Sequence, residues 1–176
     1  NQELHQWVRR YRIIPRNFGT YRDQKVFEIE EVGVGSNTYT VEDYHYMRAF
    51  HGTLRMLFAS NFLEELINYL KQHGVDLYTF ARNVYDKIRV DDSSIGSKFR
   101  EWSQETRDEL WNSREEILEH FSDEINYEKL LSGDMGENLL QKIKFAMFYE
   151  NLEDTCHFCV REARDALNDA KILNQT

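Results

Sequence analysis

The pair Cys156-His-Phe-Cys159 is the first place in this chain where residue type and spacing suggest chemistry. Two thiolates at this spacing supply half of a tetrahedral metal site. At a helix N-terminus the same pair is a redox motif, because the dipole lowers the first thiol's pKa. Neither use is completed locally. No second CxxC or HxxxH follows, and the surrounding pattern puts both cysteines mid-helix on an apolar seam, where two small buried thiols are expected. Glu42-Asp-Tyr-His45 has the ExxH spacing of carboxylate-bridged di-iron bundles, and Asp154-Thr-Cys-His157 imitates it with Asp. Such a site takes two ExxH pairs and a Glu from each of two further helices. Glu64, Glu65, Glu116 and Glu119 are available for that role, but Glu42 also suits the first turn of its helix, where a carboxylate meets the positive end of the dipole. The metal candidates are therefore Cys156, Cys159, Glu42 and His45, none within a complete ligand set. No catalytic or cofactor-binding residue is assigned.

A second group is basic. Residues 1–25 hold six Lys/Arg against Glu3 and Asp23, a net +4, whereas the remaining residues hold 16 basic and 29 acidic side chains, a net −13. Arg12, Arg16, Tyr21 and Arg22 are the candidates for an interdomain or anion contact. Trp7, Tyr11, Phe18 and Tyr21 interleave with arginines as in single-strand nucleic-acid binders. The acidic body repels a phosphate backbone, so no nucleic-acid partner is expected. Gly33-Val-Gly35 lacks the third glycine and the lysine of a phosphate loop, and reads as a turn. His51 and His73 are lone histidines, expected to be structural, and Trp102 and Trp111 could line an aromatic pocket but are more often core.

These residues must be positioned by long regular elements, since the 176 residues include one Pro and eight Gly. Residues 1–24 read as a basic lead-in from a preceding domain, with a turn at Pro15, Asn17 and Gly19. Residues 25–176 read as a single helical domain with one N-terminal strand, Lys25–Val34. That strand needs a partner for its backbone groups, from residues 8–14, from a second copy or from another domain. Thr40 and Asp43 form a capping box ahead of a helix that breaks near Ala59-Ser60-Asn61 and resumes to Gly74. Asp76 caps the next helix, residues 89–97 form a loop, and a helix follows through Trp102 to Trp111. Ser113 and Glu116 restart it. A short helix covers 124–131, and one long helix runs from about 137 to 170 on a seam of Leu139, Ile143, Ala146, Tyr149, Leu152, Cys156, Cys159 and Ala163. The fold class expected is mainly α, an antiparallel multi-helix bundle-like array with one short N-terminal strand or hairpin. No apolar run is long enough to span a membrane, and two cysteines suit a reducing cytoplasm.

The segments Phe27-Glu-Ile-Glu-Glu31, Ser36-Asn-Thr-Tyr-Thr40, Glu42-Asp-Tyr44 with Met47-Arg48, and Glu109-Leu-Trp-Asn-Ser-Arg-Glu-Glu116 resemble a known arrangement. They are similar to the region after the catalytic barrel in cobalamin-binding-domain radical SAM proteins, and the resemblance extends from the Pro15-Arg16 turn through the last helix. It implies a noncatalytic C-terminal accessory domain, packed on the preceding catalytic domains or binding substrate or a partner. S-adenosylmethionine, a [4Fe–4S] cluster and cobalamin are then implied for the parent protein only, because the CxxxCxxC that holds such a cluster does not occur here. An unpaired strand, a basic lead-in and a start at Asn1 fit an excised domain. The alternatives are an independent helical domain that self-associates through strand 25–34, and a di-metal bundle using Glu42, His45 and His157.

Overall fold

A computed structural model of the chain describes residues 5–173, with side chains through residue 170. Among the described residues there are eight α-helices and a two-stranded antiparallel hairpin at the N-terminal end, so the fold is mainly α with an N-terminal hairpin. The chain divides into two compact units: residues 1–47 with 104–139, and residues 48–103 with 140–176.

The first unit is built on the hairpin of β1 (Val8–Tyr21) and β2 (Gln24–Gly35). The lead-in of the sequence reading is thus a strand, and the expected boundary after residue 24 falls inside the hairpin. Pairing of Ile13 with Ile29, and of Arg10 with Val32, confirms that residues 8–14 partner the strand. The turn is Arg22-Asp23, with φ of 49° and 59°, the both-positive pattern of a type I′ hairpin. Asp tolerates that region, whereas Arg rarely adopts it, so the sequence carries no Asn-Gly style signal. Pro15, Arg16 and Asn17 do not end the strand either. The register jumps from Ile13↔Ile29 to Phe18↔Phe27, so residues 14–17 stand opposite Glu28 alone, as an enlarged bulge. Asn17 ties the bulge across by donating to Glu28 at 2.6 Å.

One hairpin face packs on α5 (Arg114–Ser122) and α6 (Glu124–Ser132). The reason is alternation: Ile13 and Ile29 point inward to Ile117, Phe121, Tyr127 and Leu130, with Phe18, Phe27 and Trp111 around them. A fully buried side chain of this size contributes about 1.5–3 kcal/mol. Ser113 caps α5 by accepting from Glu116 N at 3.1 Å, and Asp123 caps α6 by accepting from Asn126 N at 3.1 Å. The helix α1 (Val41–Phe58) begins in this unit behind the predicted capping box, where Asp43 N donates to Thr40 Oγ1 and Thr40 N donates to Asp43 Oδ2.

The second unit contains the rest of α1, a 3₁₀ turn (Asn61–Leu63), α2 (Glu64–Gln72), α3 (Leu77–Ile88) and most of α4 (Ser94–Asp108). The expected break near Ser60 is therefore present, although Ser60 donates back to Met56 O instead of capping forward. Gly74 takes φ 77° after α2, and Asp76 caps α3 by accepting from Thr79 N at 2.7 Å. The loop expected over 89–97 is shorter, since α4 starts at Ser94. Gly52 of α1 lies directly against the Trp102 ring of α4.

The chain finishes through α7 (Leu139–Phe145), a π-helical turn (Ala146–Glu150) and α8 (Leu152–Leu173). The single long helix of the sequence reading is thus interrupted. A π turn changes the residues per turn and rotates the seam. Met147 and Phe148 become the buried pair, and Tyr149 and Leu152 turn outward. The carbonyls loosened by the interruption are taken up locally: Asn151 Nδ2 donates to Ala146 O and Thr155 Oγ1 to Met147 O, both at 2.8 Å.

Candidate functional site

Cys156 and Cys159 sit in the second turn of α8, in the second unit. Cys156 is half-buried and Cys159 is fully enclosed, and both are free thiols. Burial, reinforced by the neighbouring Cys156 and Glu162, pushes the Cys159 thiol up to about 12. A thiol held that high stays protonated at neutral pH and is a poor nucleophile or metal ligand. The next turn buries the Glu162 carboxylate against Lys87 of α3, which also meets Asp165 at 3.0 Å. Arg161 approaches Glu162 at 3.2 Å and Asp91 at 3.4 Å. The hydrogen bond that Lys87 donates to the Glu162 carboxylate holds its ammonium above the ordinary lysine range. This network joins α8 to α3 and to the loop before α4.

Glu42 and His45 face different surroundings in the first unit. Glu42 is exposed and grips Arg107 of α4 in a bidentate pair at 3.0 and 3.2 Å, which lowers its pKa. His45 is buried beside the Tyr44 ring. Glu116 accepts from Asn112 N at 3.0 Å, and His157 is exposed on α8. Among the described residues, no group of three or more His, Cys, Asp or Glu side chains is placed to hold a metal ion. Trp111 and Trp102 belong to different units. Trp111 extends the sheet by one residue, with Tyr11 N donating to Trp111 O at 2.9 Å and Trp111 N donating back at 2.8 Å, while Trp102 is core in the second unit.

The four residues of the basic group separate. Arg12 is taken up within the first unit by Glu30 and by Glu109, the latter at 2.9 Å. Burial pulls its guanidinium down, but Glu109 and Glu30 together outweigh that and hold it above its ordinary value. Tyr21 and Arg22 lie exposed at the hairpin tip, with the guanidinium 5.3 Å from the ring centre. Arg16 stands in the bulge at φ 65°, exposed, and its side chain has no hydrogen bond, ion pair or ring contact among the described residues. It borders a cavity of about 350 Å³ with Phe18, Leu130, Met135 and Glu137, and a shallower hollow of about 620 Å³ with Asn17, Thr20, Phe27 and Glu28.

The outer edges of the hairpin are partly covered. Trp111 pairs with β1 at Tyr11, the Tyr39 hydroxyl donates to Gly33 O at 3.1 Å, and Arg114 donates to Ile29 O at 3.3 Å. Tyr39 and Arg114 blunt the edge that a second copy would need for pairing along 25–34.

Periodicity did not find the aromatic surface of the second unit. Phe62 stacks on buried Phe148 at 4.8 Å and meets Tyr149 edge-on at 5.6 Å, and Tyr149 stacks on Phe145 at 5.2 Å. Phe62, Phe145 and Tyr149 are 44%, 54% and 63% exposed, and Leu152 adjoins them in sequence with 44% exposed. Asn151 followed by Asp154 was the available signal, a cap pattern inside a presumed helix. No family model, curated protein or solved structure matches the chain.

Proposed function

We propose that this chain is a noncatalytic accessory region of a larger cobalamin-type radical SAM protein, acting through protein contact. The resemblance described above supports the family. The observation that carries the contact role is the exposed cluster of Phe62, Phe145 and Tyr149 around the π turn. Stacked aromatic rings in solvent hold apolar area that association removes from water, and π turns frequently mark functional sites. The chain's cysteines do not suit the cluster of such an enzyme, because the CxxC spacing differs from CxxxCxxC and the Cys159 thiol is held at about 12. No reaction step is therefore assigned to any residue here.

The test has two parts. Calorimetric titration of the chain with S-adenosylmethionine and with cobalamin should give no saturable heat, and tight binding of either sinks this division of labour. A photo-crosslinking residue at position 145 or 149 of the native-length protein should capture a segment of the catalytic barrel. Crosslinks to nothing, or a native-length polypeptide lacking CxxxCxxC, would reject the reading.

A further inference from the structure

We infer that the cavity beside Arg16 is a binding site for a small organic monocarboxylate with an apolar body. This inference is independent of the accessory role proposed above. Arg16 combines two features that together motivate a binding role. Its backbone sits in the left-handed region, which is costly for a side chain of this kind, and its guanidinium has no partner among the described residues. Most other arginines of the first unit are engaged: Arg9 with Glu31, Arg12 with Glu30 and Glu109, Arg107 with Glu42, and Arg114 with Ile29 O.

The walls of the cavity are set by tight local geometry. Gly133 closes α6 at φ 86°, and Gly136 follows at φ 68°. A Cβ on Gly136 would lie 2.8 Å from Leu130 and 3.3 Å from the Phe18 ring, so the loop is laid directly on that ring. Phe18, Leu130 and Met135 provide an apolar floor, and Leu131 adds an exposed flank. A volume of about 350 Å³ suits a ligand of modest size.

Charge selects among anions. One arginine fork matches one carboxylate in two parallel hydrogen bonds. Glu137 lies on the cavity wall and Glu28 on the adjoining hollow, within a chain of net charge −9. Those carboxylates repel a dianionic phosphate about twice as strongly as a monocarboxylate, and the single positive charge of Arg16 offsets only one negative charge.

The experiment is an amide NMR titration of the full 176-residue chain with 4-phenylbutyrate, and in parallel with 4-phenylbutanol and inorganic phosphate. The carboxylate should give saturable shifts at Phe18 and residues 130–137, with a Kd of about 1 mM for a ligand of this size. Arg16→Gln should weaken it about tenfold. Arg16→Gly should lose binding equally while keeping or raising the urea midpoint, because glycine accepts φ 65° without strain. Equal binding of the alcohol, preferred binding of phosphate, unchanged affinity in either Arg16 variant, or shifts that never saturate would each overturn the inference.

Discussion

Gly52→Ala gives the sharpest check on the packing of the second unit. In an exposed helix interior this change stabilises by about 1 kcal/mol, because alanine is the better helix former. Gly52 is buried in α1, and an added Cβ would lie 2.1 Å from Trp102 Cη2, 2.7 Å from Cζ3 and 2.9 Å from Cζ2. Carbon atoms prefer about 3.5–4.0 Å, so the indole must retreat by about 1.5 Å. It has little room to do so: Trp102 is 3% exposed and its ring contacts Phe99 at 5.5 Å between centres. Overpacking of that kind costs about 1–3 kcal/mol, so the two effects leave a net loss of about 0–2 kcal/mol. The assay is urea unfolding followed by far-ultraviolet circular dichroism, where a lower midpoint at unchanged slope reports stability. The partner variant Trp102→Phe removes the three ring atoms nearest the new Cβ. In that background Gly52→Ala should turn neutral or stabilising, giving a coupling of at least about 1 kcal/mol in a double-mutant cycle. Stabilisation by Gly52→Ala alone, equal in both backgrounds, would refute the close contact.

Arg12→Met should cost about 1–2 kcal/mol, because Glu109 loses a charged hydrogen bond in a partly exposed setting, and an unchanged urea midpoint would return Arg12 to an external role. Lys87→Met should cost about 1–3 kcal/mol, since among the described residues buried Glu162 then keeps Arg161 as its one ion-pair partner; melting curves of the variant and parent give the value. The pKa of Lys87 is raised by folding, so its contribution is full below the ordinary lysine value near ~10.4 and is lost as pH rises through the folded value. The parent should therefore lose stability in alkali more steeply than Lys87→Met. Asp43, Asp76 and Asp91 are held below the ordinary range by hydrogen bonds from Thr40, Thr79 and Ser93, so their contribution is complete above about pH 4 and disappears as pH falls through the folded values; acid titration of an Asp76→Asn variant should show a flatter loss. Cys159 should resist alkylation at pH 8 until the chain unfolds, because its thiol titrates near 12, and rapid labelling of Cys159 in the folded state, read by peptide mass, would disprove its enclosure.

Local chemistry determined much of this protein from sequence alone. The Thr40–Asp43 box, the Asp76 and Ser113 caps, Gly74 after α2 and the break near Ser60 are each fixed by residues within a few positions of one another. The mainly α class follows from those same short-range patterns. What the sequence concealed depends on partners far along the chain. β1 looked irregular because its pairing register shifts at residues 14–17, and only the opposing β2 makes that stretch a strand. Arg12 looked available because Glu109, its partner, lies 97 positions away. The seam of the last helix was misjudged because a π turn is invisible to a fixed period, and Thr155 and Asn151 stabilise it only once the backbone has turned. Arg16 was legible as a residue, but tertiary structure alone set it at φ 65° beside a cavity lined by Phe18, Leu130 and Met135. Short-range hydrogen bonds write themselves into neighbouring residues, whereas register, enclosure and charge pairing are settled only when distant segments meet.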